Sequence, residues 1–392
     1  TGLVFASSGP VTLQSGVYGL SIGSAGLVAN PGVGQVTLAA PVTLTSAQSW
    51  NVGVGATASV TGTLDLGANL LTVNGSGSLL LSGVVGGSGG LAKSGTGLLS
   101  LTSANTLTGP LTISAGLLSI SNASALGADP SAVQVTAAVQ TAGTPARGFA
   151  NGSIRLAGSY GLGLTVARPL SLQGNGPITN GGVAFVSVGP NTLTGLLSTG
   201  VGSVNTALTS VLAPTTLTDV NVGGTANTTF TSFGTIGSAL ANFTITGALS
   251  GNGTLLKFGG GTLVVAPTDA SGFSGTLRVT TGSIRVLSVA ALGTNTGTTT
   301  SAPVDINGGI FEFRSDAALA TGKNVYFRNG ATLFVDHAPG GNAINATHAF
   351  GNVSYEIANT YTFSGRNGYG SSFTTAPVVT GDVDSTFTNN LN

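Results

Sequence analysis

The chain has 392 residues, of which 41% are hydrophobic, 6% are charged and 64 are glycine, with neither cysteine nor methionine. Its 11 basic and 11 acidic side chains cancel, so the surplus of Lys and Arg that a phosphate backbone demands is missing, which argues against nucleic-acid binding. Apolar content without net charge excludes intrinsic disorder, the glycines keep no three-residue collagen period, and the lack of cysteine removes disulfides and Cys-ligated metals.

The chain opens at Thr1 with neither Met nor a basic and apolar leader, which fits an exported protein whose signal has been removed. No run reaches the roughly 18 apolar residues of a membrane-spanning helix, because Gly, Ser, Thr or Asn interrupts each one. Thr1 to Gly34 carries no charged side chain, and Val11, Leu13, Val17, Leu20 and Ile22 would leave an apolar end to the fold. From there the apolar residues alternate. Val36-Leu38, Val42-Leu44, Leu64-Leu66 (with Val60 in phase), Leu99-Leu101, Leu111-Ile113 and Leu118-Ile120 all keep period two between Gly or Asn breaks. Each predicts a short strand with one buried face. Thr and Ser take the outward positions, and Gly and Asn tolerate the positive φ of sharp corners. Short strands joined by such corners, without long loops, predict stacked coils rather than a sandwich. One coil cannot bury its apolar side alone, whereas a stack builds a continuous core.

Two stretches repeat one another. GGLAKSGTGLLSLTSANTLTGPLTISAGLLSISNASALG runs from Gly89 to Gly127, and GNGTLLKFGGGTLVVAPTDASGFSGTLRVTTGSIRVLSVAALG from Gly251 to Gly293. Lys93 aligns with Lys257, Gly95 with Gly259 and Gly97 with Gly261. After a short insertion Gly109 aligns with Gly275, Gly116 with Gly282, and Leu126-Gly127 with Leu292-Gly293. Both copies resemble the autotransporter-associated (passenger-associated) β-strand repeat, whose pattern is G-G-L-x-K-x-G-x-G-x-L-x-L, then N-x-y-x-G-x-x-x-x-x-x-G-x-L, closing on A-L-G. The first copy follows it through Asn105-Thr106-Leu107-Thr108-Gly109, whereas the second has Phe273-Ser274-Gly275 in place of the Asn-bearing turn. The resemblance covers about a fifth of the chain. It implies a right-handed parallel β-helix on a bacterial exported protein and specifies no activity.

Composition changes from Ser301 onward. Eleven charged residues fall there, among them Asp305, Glu312, Arg314, Arg328, Asp336, Glu356 and Arg366, as do 12 of the Phe and Tyr residues, beginning at Phe311. Ile310-Phe311-Glu312-Phe313-Arg314 and Asn324-Val325-Tyr326-Phe327 still alternate as strands. The expected organisation is therefore all-β: a β-solenoid over 1–300, with repeats at 89–127 and 251–293, and a C-terminal β region over 301–392 that ends or caps the stack. Ser371 to Asn392 is polar and extended, with Phe373, Val378, Val379 and Phe387 as anchors, and reads as a tail or as a strand given to a neighbour.

Candidate chemistry is thin. The G-x-S-x-G match Gly86-Gly87-Ser88-Gly89-Gly90 leads into a β repeat instead of a helix, which makes it a coil corner and not a nucleophile elbow. His337 follows Asp336, and His348 stands apart; both read as hydrogen-bonded or exposed side chains. Asp65, Asp129, Asp219 and Asp269 are isolated, whereas paired-carboxylate hydrolysis needs two within roughly 5 to 10 Å. Asp382-Val383-Asp384 lacks the six to eight oxygens that calcium takes. Gly259-Gly260-Gly261 lacks the Gly-Lys-Ser/Thr and helix of a phosphate loop. The N-x-S/T sequons, such as Asn74 and Asn122, arise from composition in a Ser/Thr/Asn-rich chain. No residue is assigned to catalysis, to a cofactor or to a metal.

Three functional classes follow. The leading expectation is a structural, non-enzymatic subunit of an extracellular fibre, sheath or surface layer. Its partner would be a second copy, joined head to tail through unlike ends, with residues 371–392 as an added strand. The second is a cleaved autotransporter-like adhesin passenger that meets surface glycans or a host or neighbouring cell. The third, a β-helix enzyme acting on polysaccharide, fits poorly with so little clustered charge. All three place the chain outside the cell or on its surface, without nucleic acid and without a membrane span.

Overall fold

The computed structural model describes residues 1–14, 16, 18–136, 152–158, 162–173, 184–199, 206–211, 213–223, 227–233, 242–297, 302–356, 359–374, 378–380 and 386–391. Val17 and the Asp382-Val383-Asp384 motif lie outside these residues. The chain is all-β, its strands pair in parallel as the stacked coils of a β-solenoid, and the one helical element among the described residues is the 3-10 turn Val289–Leu292. It divides into two units, Thr1–Ser198 and Thr199–Asn392.

In the first unit each strand pairs with the equivalent strand of the next coil. One ladder runs through Gly2–Phe5, Gly26–Ala29, Gln48–Val52, Leu71–Gly75, Leu91–Lys93, Leu111–Ile113, Val133–Thr136 and Leu170–Gln173. A second runs through Val11–Leu13, Gln35–Leu38, Thr57–Val60, Ser78–Leu81, Leu98–Leu101, Gly116–Ile120, Gly152–Ala157 and Phe185–Val188. A short third ladder joins Leu20–Ile22, Val42–Leu44, Leu64–Asp65 and Val85–Gly86. Period-two alternation explains this arrangement. In-register parallel pairing stacks residues of one phase into a column, each about 4.8 Å above the last. Leu38, Val60, Leu81, Leu101, Ile120 and Leu156 form one such column, every member buried. Burying each aliphatic side chain contributes roughly 1.5–3 kcal/mol, an upper figure because unfolded chains already hide part of their surface.

The second unit keeps the scheme. One ladder runs through Thr206–Val211, Asn227–Phe233, Thr254–Gly259, Thr276–Val279, Val304–Asn307, Val325–Arg328, Val353–Glu356 and Val378–Thr380. Another runs through Thr215–Leu217, Phe243–Ile245, Thr262–Val265, Ser283–Val286, Ile310–Arg314, Thr332–Asp336, Thr360–Gly365 and Thr386–Leu391. Pairing is continuous where the composition shifts, with Leu277 opposite Val304 and Ser283 opposite Ile310. Aromatic residues become frequent in the core there: Phe311, Phe313, Phe327 and Tyr361 are all buried. Phe327 meets Tyr361 and Phe363 edge-on at centroid distances of 5.8 and 5.3 Å.

The C-terminal segment departs from expectation. Val378–Thr380 pairs with Val353–Glu356, and Thr386–Leu391 pairs along its whole length with Thr360–Gly365 of the same chain. Each is the last strand of its ladder and pairs along one edge with the preceding coil. Val378–Thr380 and Thr386–Leu391 are therefore strands of the stack itself and not a free tail.

The repeats share a device that holds a coil corner. Lys93 occupies an inward column, between Val73 and Ile113 in register, and is 2% exposed. Its Nζ donates to the carbonyls of Gly95 and, at 3.3 Å, of Ala115 in the next coil. Lys257, 0% exposed, donates from Nζ to the carbonyls of Phe258 (3.0 Å), Gly259 (2.7 Å) and Gly260 (2.7 Å). Corner carbonyls buried without a donor are costly, and an ammonium brings three donors. Burial pushes both lysines down from 10.5 to about 8, so each remains protonated at neutral pH. A glycine of the next coil closes the cage. Gly116 has φ +71, and a Cβ there would lie 2.5 Å from the carbonyl oxygens of Gly95 and Gly97 and 2.8 Å from Lys93 Nζ. Gly282 has φ +72, and a Cβ there would strike Gly259 O and lie 2.6 Å from Gly261 O. The K-x-G-x-G spacing and the later glycine therefore describe one object in space.

Candidate functional site

The residues weighed for chemistry mostly prove to be fittings of the coils. Ser88 is an exposed corner residue whose hydroxyl donates to Gly67 O at 3.4 Å, and the next strand, Leu91–Lys93, follows at once. Each isolated aspartate accepts from a local turn or the next coil. Asp65 takes the Gly67 N–H (2.8 Å), Asp219 the Ala248 N–H (2.7 Å), and Asp269 the Ser271 N–H (2.8 Å). Asp129 accepts from the Ser131 hydroxyl (2.6 Å) and N–H (2.8 Å), bonds that hold it below the usual carboxylate range, and it pairs with Arg168 at 3.0 Å. In Gly259-Gly260-Gly261 the first two glycines supply carbonyls to the Lys257 cage.

The two histidines part company. His337 is half-buried, its Nδ1 2.7 Å from Ala338 O, and its Nε2 lies 3.9 Å from Asp336. His348 is 0% exposed and packs edge-on against Phe313 at 4.7 Å and tilted against Tyr369 at 5.4 Å. Its ring nitrogens make no hydrogen bond of ordinary geometry, and burial pushes its pKa down against a weaker opposing contact with the Asp336 main chain. Sequence reasoning read His348 as a hydrogen-bonded or exposed side chain; it is buried. Among the described residues no group of three or more His, Asp or Glu could hold a metal ion.

The candidate surface lies in the second unit, where outward positions carry charge. Parallel register sorts them into columns. Thr262, Ser283, Ile310, Thr332 and Thr362 form one. Arg285, Glu312, Phe334 and Ser364 form the next. Arg314 stands opposite Asp336 in the third, with Arg366 just past the end of its strand. Arg285 Nε donates to Glu312 Oε2 at 2.8 Å, and Arg314 Nε to the same oxygen at 2.9 Å. Burial pushes the Glu312 carboxyl up, but the bonds and charges of both arginines outweigh it and hold the group below its ordinary value. Arg314 Nη1 also donates to Asp336 Oδ2 at 3.2 Å, and Asp336 Oδ1 accepts from Asn367 Nδ2 (2.8 Å) and the His337 N–H (2.9 Å). The guanidinium groups of Arg314 and Arg366 sit 5.0 and 5.8 Å from the centroid of the Phe334 ring. The neighbouring ladder carries a similar chain. Arg278 and Arg328 bind Asp305 at 2.7 and 3.3 Å, Arg328 reaches Glu356 at 3.7 Å, and it stacks on Tyr326 at 4.2 Å.

A shallow depression of about 370 Å³ runs over Glu312, Arg314, Phe334, Ser364 and Arg366, bounded by Ile310, which is 42% exposed. At Ile310 it meets a second, of about 400 Å³, walled by Thr262, Ser283 and the glycines at 282, 308 and 309. The carboxylates here are occupied by arginines, so the surface offers hydroxyls, a guanidinium and an aromatic ring instead of a proton-transfer pair. Sequence reasoning noted the charges from Ser301 on but missed this sorting. The signal was present in Glu312-Phe313-Arg314, where inward Phe alternates with outward charge. The lysine cages were missed too, although Leu91-x-Lys93 and Leu255-x-Lys257 both put a lysine in the apolar phase.

No family model matches the chain, and no solved structure matches it. Over 253 residues, 59% of this chain, it is 28% identical to the adhesin BmaC autotransporter of Brucella suis biovar 1 (strain 1330). The match spans 7% of that protein's length.

Proposed function

We propose that the chain is passenger material of a bacterial surface adhesin: a β-solenoid held outside the cell whose outward columns make the contact. The similarity to an adhesin autotransporter over 59% of the chain carries this reading. The parallel coils and the two copies of the passenger-type repeat agree with it. The chemistry of the second unit favours binding over bond cleavage, because Glu312, Asp336 and Asp305 are each consumed by an arginine. Beads coated with residues 1–392 should adhere to a mammalian cell monolayer several times more densely than albumin-coated beads; equal densities would overturn the reading.

The fibre-subunit reading draws on strand edges at the ends of the coil stacks. Such an edge is extended by further coils of the same polypeptide as well as by a second copy. Those edges therefore favour neither account, and the measured similarity favours the adhesin.

A further inference from the structure

We infer that the outward face over residues 262–366 is a binding site for a carboxylated, uronate-type polysaccharide, with Arg366 as the residue that takes the carboxylate. The inference rests on the adhesive reading, for which it names a ligand class.

The face has one cation more than it uses. Arg278, Arg285, Arg314 and Arg328 each lie within 3.7 Å of a carboxylate. Among the described residues Arg366 has no carboxylate within ion-pair distance, since Glu312 and Asp336 are already engaged by Arg285, Arg314 and Asn367. Arg366 is nonetheless held in place. Its N–H donates to Val335 O at 3.2 Å, its carbonyl accepts the Tyr369 N–H at 3.0 Å, and Asn367 is tied to Asp336. Its guanidinium lies over the Phe334 ring. An exposed guanidinium with unused donors, carried on a main chain tied at both sides, is suited to a carboxylate, which it can grip through two parallel hydrogen bonds.

The rest of the face fits sugars. Thr332, Thr362 and Ser364 repeat along the stack at the coil spacing of about 4.8 Å, close to the length of one sugar in an extended polysaccharide. The depression over them continues past Ile310 toward Ser283 and Thr262, so it has the form of a track and not of a closed pocket. Of the charged residues that line the depression, Arg314 and Arg366 against Glu312 leave one net positive charge. That is too little for nucleic acid or an anionic membrane, both of which draw on several cations together. It matches a polymer presenting one carboxylate at a time among hydroxyls.

The test is calorimetric titration of the full chain with trigalacturonate and with its methyl ester, which keeps the shape and removes the charge. The acid should bind, and the ester should bind about tenfold more weakly or worse. Arg366→Gln should lower affinity for the acid about tenfold or more with an unchanged melting temperature, since the side chain is exposed. Arg328→Gln, on the neighbouring ladder, should leave it within about twofold. Equal binding of acid and ester, wild-type affinity in Arg366→Gln, no binding at millimolar trigalacturonate, or equally tight binding of a DNA duplex or phosphatidylserine vesicles would each overturn the site. Bead adhesion separates the two claims. Adhesion without trigalacturonate binding removes the ligand and keeps the adhesin, whereas trigalacturonate binding without adhesion keeps the site and removes the adhesin.

Discussion

In the coils from Gly26 to Ile120 the inward columns are mainly Leu, Val and Ile, and the outward ones are mainly Thr, Ser and Asn. In the coils from Thr276 to Arg366 the inward columns take Phe311, Phe313, Phe327 and Tyr361, and the outward ones carry Arg285, Glu312, Arg314 and Phe334. Both sets keep the same parallel, in-register pairing. Main-chain hydrogen bonds between coils depend on alternation, not on which apolar or polar residue fills a phase. A change of composition along a solenoid therefore marks a change in what the coil holds and displays. It need not mark an end to the coil.

The largest expected effect tests the aromatic core. Phe313→Ala removes a ring packed against His348 and Phe350 and should cost about 3–5 kcal/mol, toward or above the roughly 2–5 kcal/mol of Leu101→Ala in the aliphatic coils. Hydrogen exchange of the affected coils reads both locally, and a loss under about 1 kcal/mol for Phe313→Ala would show that the aromatic coils pack loosely. Next, Gly116→Ala and Gly282→Ala should each cost at least about 2 kcal/mol in urea unfolding, because both combine positive φ with the carbonyl cage. Similar losses would mark the cage as common to the two regions; a tolerated substitution at one would break the equivalence.

The cages also predict a pH dependence. Lys93 and Lys257 titrate near 8 when folded and near 10.5 when unfolded, so between these values the unfolded chain binds more protons. Stability should therefore rise as pH increases from about 8 to 10.5, by on the order of 1–3 kcal/mol per lysine. Lys93→Met and Lys257→Met should each remove one share of that rise, and an unchanged slope in both variants would show that the lysines titrate normally. The smallest effect belongs to the aromatic coils alone. His348 is held neutral by burial, with its folded pKa below the unfolded 6.5. Stability should be intact above 6.5 and be lost as pH falls below it, while the unfolded chain takes up the proton. His348→Leu should flatten this acid limb in thermal melts; a limb of unchanged slope would put the titration elsewhere.

Much of the architecture was legible. Val36-Leu38 and Leu99-Leu101 betray their strands by period two, and the glycine corners betray the coils, because both signals are local consequences of backbone geometry. The aligned lysines and glycines of the two repeats were equally visible, but not their joint purpose, since Lys93 meets Gly116 only after the chain has completed a turn of the solenoid. The polar composition of residues 371–392 suggested a tail, and only register shows that Thr386–Leu391 pairs with Thr360–Gly365 of the preceding coil. Nor does composition reveal which arginine is left over.

By itself, then, the amino-acid sequence determined the all-β class, the coil corners, the inward and outward phases and the kinship of the two repeats, all of which follow from period and steric tolerance within a few residues. The tertiary structure alone decided which residues meet across coils, some 20 to 30 residues apart, as in Glu312 beside Arg285, Lys93 beneath Gly116, and Arg366 over Phe334 with no carboxylate at hand. Those neighbours are chosen by the register between coils, and register is a property of the stack that no single strand contains.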